Sequence, residues 1–190
     1  MFGLMLYTVL MFWETSQYAG PRCFGHFCID LPMNTSEITK HLSTSKGLAS
    51  PFCYENPTGT AFLAIRTFHN LPGRVAEVLL SDFPNCPQVS PRRIDASLLE
   101  WKTKDGIGLG SLENDVRRAY GKPSAAESVT GRTYSILVKE RIPAKLRNVS
   151  IGEKILYYIG ARRSTELGDA IAEFGIRHGR VSWVFLSVNE

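Results

Sequence analysis

The chain lacks the concentrated positive charge that binding to nucleic acid requires. Its 22 Lys and Arg residues outnumber its 18 Asp and Glu residues by four, and the basic residues are scattered as pairs rather than massed into one tract. Pairs of this kind usually lie on solvated faces, whereas a nucleic-acid site needs a basic patch or stripe. With 44% apolar residues, the composition is that of a folded globular protein, and we expect no nucleic-acid partner.

Recognisable catalytic motifs are also absent. No GxSxG, HExxH or phosphate-loop pattern occurs, and the glycine-rich run Gly106-Ile-Gly-Leu-Gly110 continues without the lysine that a phosphate loop needs. We therefore expect a protein that is not an enzyme and has no cofactor and no metal. The alternative is a small enzyme with an unrecognised hydrolase-type site, in which one of two histidines lies beside one of two acids. These residues are His41, His178, Glu173 and Asp169.

Cysteine is scarce and has no metal-ligand spacing. The four cysteines are Cys23, Cys28, Cys53 and Cys86, and none forms a CxxC pattern. A Cys53–Cys86 bridge would close a loop of about thirty residues and contribute about 3 kcal/mol on the chain-entropy model. Cys23 could pair with Cys28 across the bend at Gly25. These pairings predict an exported protein, and the alternative is four reduced, buried thiols in a cytoplasmic one.

A hydrophobic run long enough to span a bilayer as a helix is missing. The apolar N-terminal segment ends at Trp13, which is too short for a membrane span but suits the central part of a secretory signal. No Lys or Arg precedes it, so either the true start lies upstream or the segment is buried. We expect a periplasmic or secreted protein. The alternative is an envelope protein anchored to the membrane by this segment, and only then do we expect contact with a membrane.

What the chain does contain is a near-repeat. Gly73-Arg-Val-Ala-Glu-Val-Leu-Leu-Ser81 returns as Gly179-Arg-Val-Ser-Trp-Val-Phe-Leu-Ser187, with six of nine positions identical. Each copy is preceded by an apolar stretch that ends in Ile-Arg, at Ile65-Arg66 and at Ile176-Arg177. This pattern predicts one small unit that is used twice.

The predicted elements of the two halves agree with duplication. A helix is expected after Asn34 in the first half, and a second helix is expected between a cap at Ser111 and a stop at Gly121. Strands are expected at 60–68, 74–81, 133–139, 154–159, 172–177 and 181–188. The predicted fold class is α+β, with two tandem similar units that each pack a short helical segment on an antiparallel sheet. The predicted boundaries are 1–20 for the apolar segment or signal peptide, 21–86 for the first unit, 87–105 for a linker and 106–190 for the second unit.

A family resemblance accompanies the second half. Gly106-Ile-Gly-Leu-Gly-Ser-Leu-Glu-Asn-Asp-Val-Arg-Arg-Ala-Tyr-Gly-Lys-Pro123, followed by Phe174-Gly-Ile-Arg-His-Gly-Arg-Val-Ser-Trp-Val184, resembles the small exported unit of the SmpA/OmlA (BamE-like) proteins. The same unit occurs twice in β-lactamase inhibitory proteins. The resemblance covers 106–188 and, more faintly, 27–82. It implies helices on an antiparallel sheet and a function in protein–protein contact, although the chain lacks the lipobox of the BamE-like lipoproteins.

Both faces of the predicted strands are apolar, because alternate residues of a strand point to opposite sides. One face must pack on the helices, which leaves a second, aromatic-rich face to be covered by the other unit, by the 140–150 loop, by another copy or by a partner protein. The candidate partner contacts are Tyr157, Trp183 and Phe185 in the second half and Phe62 and Phe68 in the first. The predicted function is an exported, non-enzymatic module, inhibitor-like or envelope-assembly-like, that binds another protein or itself.

Overall fold

The computed structural model describes the backbone of residues 20–25, 27–29, 52–68, 71, 74–85, 90–93, 102–128, 154–160 and 169–189. The apolar segment up to residue 19, the helix expected after Asn34 and the strand expected at 133–139 lie outside these residues. His41 and Cys86 also lie outside them.

The described residues form ten strands and one helix. Two strands near the start are β1 (Cys23–Phe24) and β2 (Phe27–Cys28), followed by β3 (Phe52–Glu55), β4 (Phe62–Thr67), β5 (Val75–Ser81) and β6 (Arg92–Arg93). Helix α1 (Glu113–Tyr120) separates these from β7 (Ala125–Ser128), β8 (Lys154–Gly160), β9 (Asp169–Arg177) and β10 (Arg180–Asn189).

Eight of these strands form one sheet, in the order β6-β3-β4-β5-β10-β9-β8-β7. Its neighbours are antiparallel except for β3 and β6, which run parallel. The β4–β5 and β9–β10 hairpins lie side by side and are joined through β5 and β10. Strands β1 and β2 form a separate two-stranded hairpin.

This architecture corrects the expected α+β class. The described residues are mostly strand, and α1 is their one α-helix. The two halves also do not carry one sheet each, because the hydrogen bonds between β5 and β10 continue a single sheet across the predicted boundary. Alternation predicted strands β4, β5, β8, β9 and β10, but pairing at a strand edge depends on contacts distant in sequence.

The register of the β5–β10 pair follows the near-repeat. Leu79 lies opposite Phe185, which occupies the same place in the second copy of the repeated segment. The flanking pairs exchange equivalent positions: Val78 with Leu186, and Leu80 with Val184. The repeated segments are therefore the two strands that meet in the middle of the sheet.

The Ile-Arg doublets that precede the two repeated segments do not occupy equivalent positions in their hairpins. Ile65 lies opposite Val78 on β5, whereas Ile176 lies opposite Val181 on β10. The residue equivalent to Val78 in the near-repeat is Val184, so the two isoleucines occupy different registers. A β-bulge between Val181 and Trp183 shifts the register of the second hairpin.

Tight backbone geometry closes the β9–β10 hairpin. His178 and Gly179 have φ values of 52° and 72°, between the paired residues Arg177 and Arg180. Two consecutive positive φ angles match the right-handed twist of the flanking strands in a two-residue hairpin. These two residues therefore form the short turn of the hairpin.

One face of the sheet, called the first face, packs beneath α1, the β1–β2 hairpin and the segment around Ile107. The main hydrophobic cluster joins Val116 and Tyr120 of the helix and Phe24 and Phe27 of the hairpin to sheet residues. Those sheet residues include Tyr54, Leu63, Ile65, Val78, Leu80, Leu156, Tyr158, Phe174, Val184 and Leu186. This face is the principal core of the described structure.

Helix α1 begins and ends by different means. Leu112 precedes it in extended conformation, with no side-chain hydrogen bond to the helix, so the cap expected at Ser111 is wrong. The Ser111 hydroxyl instead accepts a hydrogen bond from Gly108 N–H at 3.0 Å. At the other end Gly121 has φ 75°, and its N–H donates to Arg117 O, as expected for a glycine that ends a helix.

Two tyrosines tie this helix to the first face. The Tyr120 ring stacks on Phe174 at 5.5 Å between centroids and meets Tyr158 edge-on at 5.8 Å. Tyr120 hydroxyl lies 2.6 Å from the Thr103 hydroxyl, and Tyr158 hydroxyl donates to Gly121 O at 3.1 Å. Burial raises the pKa of both phenols, which keeps them neutral as packing residues.

Candidate functional site

The opposite side of the sheet, called the second face, holds three of the five aromatic residues singled out in the sequence, Tyr157, Trp183 and Phe185. A second hydrophobic cluster on this face consists of Ala64, Leu79, Ile155, Trp183 and Phe185. Phe83 and Tyr157 pack against it. Because side chains alternate along β8 and β9, Ile159 and Ile171 lie on the same face as Tyr157.

A glycine on the neighbouring strand leaves the space that the Trp183 ring occupies. Gly175 lies opposite Trp183, and a Cβ atom at Gly175 would overlap the five-membered ring of the indole. Glycine inside a strand commonly marks such a close approach. The register shift before Trp183 accompanies this contact and increases the local twist.

Most of the expected partner contacts are inside the chain. Trp183 and Phe185 are completely buried, and Phe62 and Phe68 are 7% and 8% exposed. Tyr157 is the one candidate with appreciable surface, since it is half-buried. Four of the five side chains are therefore almost entirely buried in this conformation, which corrects the expectation of an open aromatic face.

The accessible part of the second face lies at the end of β8. Ile159 is 48% exposed and sits opposite the half-buried Ile171, two residues from Tyr157. We call these three residues the Ile159 patch. Ile159 ends the strand predicted at 154–159, but nothing in the local pattern distinguished the exposed end of that strand from its buried middle.

Two other large apolar side chains are similarly exposed among the described residues, and both lie elsewhere. Leu112 is 45% exposed where α1 begins, bridged to Arg180 at the start of β10. Leu71 is 43% exposed in the β4–β5 connection. Single exposed apolar residues are normal on a protein surface. The Ile159 patch differs because three apolar side chains adjoin each other there.

A buried amide that the sequence analysis did not identify holds the end of the β4–β5 hairpin. The Asn85 side chain, in a residue 3% exposed, donates from Nδ2 to Phe62 O, Leu79 O and Ser81 Oγ at 3.2, 3.1 and 3.0 Å. Asn85 falls at the end of the predicted first unit, 21–86, and no local motif signals a long-range bond of this kind.

An ion pair joins the two central hairpins near the same region. Asp82 follows β5 and contacts Arg177 at the end of β9 through Oδ2, while its backbone N–H donates to Ser182 O at 3.0 Å. Burial raises the pKa of Asp82, and the Arg177 charge opposes that rise. The pair therefore helps to align the hairpins at the β5–β10 junction.

Among the described residues, the side chains named for the enzyme alternative do not lie close together. Asp169 and His178 lie at opposite ends of β9, separated by about 30 Å at about 3.3 Å per strand residue. Glu173 is in the middle of β9 and is 3% exposed. His178, Asp169 and Glu173 thus do not form a common site, and His41 lies outside the described residues.

The cysteines are oxidised where the structure describes them. Cys23 and Cys28 form a disulfide between directly opposed residues of β1 and β2, so this predicted pairing is confirmed. Cys53 is disulfide-bonded as well. Cys86, its expected partner, lies outside the described residues.

A charge cluster links α1 to β8. Glu113 accepts from Lys154 Nζ at 2.9 Å and from Arg117 at 2.8 Å. Burial alone would raise the pKa of Glu113, but the hydrogen bonds and positive charges of Lys154 and Arg117 outweigh burial and lower it. Glu113 also opens the helix, where a negative charge is favourable.

We predict that this cluster makes stability fall at acid pH. A lowered folded-state pKa means that Glu113 stabilises the fold above its unfolded value near 4.5, and that this contribution is lost as pH falls through the folded value. In urea unfolding, the free energy of unfolding should therefore fall more between about pH 5 and pH 3 for the wild type than for Glu113→Gln.

Asp115→Asn is the matched control for this prediction, since Asp115 lies in the same helical turn and pairs with the exposed Arg118. We expect its pH profile to resemble that of the wild type, because exposed ion pairs contribute little. Identical profiles for Glu113→Gln and the wild type would contradict the role of Glu113.

The described residues contain no group of three or more His, Cys, Asp or Glu side chains that could hold a metal ion. Across the same part of the chain, none of the helices has the length and apolar character needed to cross a membrane. The Ile159 patch is the best candidate functional feature that remains.

Comparisons of the chain with protein-family models, with curated proteins and with solved structures find no match.

Proposed function

We propose that the chain is an exported, non-enzymatic module that binds another protein through the Ile159 patch. The observation that carries the proposal is the exposed Ile159 beside Ile171 and Tyr157, at the edge of a buried aromatic cluster. An exposed apolar side chain on a rigid, well-packed base loses little conformational entropy when a partner covers it. Aromatic residues such as Tyr157 are also favoured at the centres of protein interfaces.

Oxidised cysteines support export. Cys23, Cys28 and Cys53 are all disulfide-bonded, and disulfides persist in oxidising compartments such as the periplasm or the extracellular space. The resemblance to the SmpA/OmlA (BamE-like) unit agrees with both export and protein binding. It supplies no partner, so the partner is proposed only as a protein with an apolar contact surface.

The proposal predicts that a charge at Ile159 abolishes partner binding. Immobilised wild type, Ile159→Lys and Leu112→Lys would each be incubated with the envelope and secreted fractions of the source organism, and retained proteins would be quantified by mass spectrometry. Loss of a central interface residue costs about 2 kcal/mol or more, so Ile159→Lys should retain the partner roughly thirtyfold less strongly.

Leu112→Lys controls for charge and for the loss of an exposed apolar side chain, because Leu112 and Ile159 are 45% and 48% exposed. It should retain the partner like the wild type. Equal recovery by all three forms, or no protein retained by the wild type, would contradict the proposal.

A further inference from the structure

The β1–β2 hairpin is a small element that covers part of the first face without belonging to the large sheet. Each of its strands has two residues, with Cys23 opposite Cys28 and Phe24 opposite Phe27. An isolated two-stranded hairpin is marginally stable in water even when it is longer than this one. The disulfide therefore holds together an element that its few backbone pairs would hold weakly.

The hairpin is attached to the rest of the chain mainly by two aromatic side chains. Phe24 and Phe27 are 3% and 7% exposed and belong to the main hydrophobic cluster. Two backbone links tie the hairpin to the 102–103 segment: Gly25 N–H donates to Lys102 O at 3.3 Å, and Phe24 forms a bridge with Thr103. An opening of the hairpin would thus uncover apolar surface while leaving the hydrogen bonds of the large sheet intact.

The oxidised cysteines differ in accessibility. Cys23 and Cys28 are both half-buried, whereas Cys53 is 5% exposed on a strand inside the sheet. Thiol–disulfide exchange requires a thiolate to reach a disulfide sulfur, so exposed bonds react first and are the labile ones in proteins. Among the described sulfurs, a reductant should therefore reach those of Cys23 and Cys28 before that of Cys53.

We propose that the Cys23–Cys28 disulfide is a redox-controlled clasp that keeps the β1–β2 hairpin closed on the first face. A thiolate of a dithiol reductant attacks one sulfur of the pair and forms a mixed disulfide, and the second thiol of the reductant closes its own disulfide. Cys23 and Cys28 leave as two thiols that carry the two protons of the dithiol. The hairpin then opens more often and exposes Phe24 and Phe27. This clasp does not depend on the proposed binding function.

The test is a titration of the native full-length protein with dithiothreitol, with thiols alkylated at each step and located by mass spectrometry. Cys23 and Cys28 should be labelled together before Cys53. Hydrogen exchange of the peptide that covers 22–29 should then accelerate roughly tenfold or more, because the cross-link no longer restrains the open state. Exchange in β9 and β10 should stay unchanged.

The variant Cys23→Ser/Cys28→Ser provides the matched control. Its hairpin should exchange rapidly without reductant and should not respond further to dithiothreitol, while β9 and β10 exchange as in the wild type. Labelling of Cys53 in step with Cys23 and Cys28, or unchanged hairpin exchange in the selectively reduced wild type, would overturn the proposal. Both of these outcomes are read on the wild type and do not require the variant to fold.

Discussion

Gly175→Ala is expected to destabilise the protein by about 3 kcal/mol, the upper part of the usual range for overpacking a core. The added methyl group would overlap the ring of Trp183, which is completely buried and lies directly opposite. Trp183 cannot move outward without breaking its packing with the second hydrophobic cluster. Urea unfolding of the two proteins at neutral pH measures the effect directly.

A double-mutant cycle separates this clash from the general cost of altering a strand glycine. In a Trp183→Leu background the indole is gone, so adding Gly175→Ala should cost much less than it does in the wild type. The coupling free energy between the two sites should exceed 1 kcal/mol, as expected for residues in contact. Additive effects would show that the indole does not restrict residue 175.

Asn85→Asp is expected to cost about 3 kcal/mol at neutral pH, because it replaces a buried donor with a charge that faces three acceptors. The amide nitrogen now donates to Phe62 O, Leu79 O and Ser81 Oγ. The introduced carboxylate would face two carbonyl oxygens that have no proton to share and the Ser81 hydroxyl, whose proton is donated to Phe83 O. Thermal or urea unfolding of a nearly isosteric variant therefore tests the whole arrangement with little change in volume.

The pH dependence of this variant gives a second readout. Burial beside oxygen atoms raises the folded-state pKa of the introduced carboxyl above its unfolded value near 3.9, so the penalty grows as pH rises above about 4 and shrinks as the group is protonated. Asn85→Ala removes the amide without adding a charge. It should lower the free energy of unfolding by a smaller amount that does not depend on pH. A penalty equal for both variants at every pH would contradict the geometry around Asn85.

Local patterns in the sequence predicted several elements of the second half closely. Alternating apolar residues placed strands at 154–159, 172–177 and 181–188, and the structure has them at Lys154–Gly160, Asp169–Arg177 and Arg180–Asn189. The end of the helix at Gly121 was also predicted. These features depend on side-chain alternation and on glycine conformation, which neighbouring residues determine.

The aromatic face was predicted less well for a physical reason. Strict alternation would place Val181, Trp183 and Phe185 on one side of a strand, but the β-bulge between Val181 and Trp183 leaves Val181 in the main cluster while Trp183 and Phe185 lie on the second face. Alternation also carries no information about what packs on either side. In the structure Trp183 rests on Gly175, and Phe185 lies between Leu79 and Glu173 on the neighbouring strands. These contacts bury Trp183 and Phe185. The accessible candidate surface is therefore the Ile159 patch at the end of β8.

The amino-acid sequence by itself determined the strands of the second hairpin and the near-repeat that supplies β5 and β10, and it offered the Cys23–Cys28 pair as one possibility. The tertiary structure alone decided that those two strands meet, with Leu79 opposite Phe185, so that both halves share one sheet. Only the fold places Asn85 against Phe62 and leaves Ile159 exposed while Trp183 is buried. Strand formation follows from a local period of two residues, whereas strand pairing and burial depend on contacts between segments far apart in the chain.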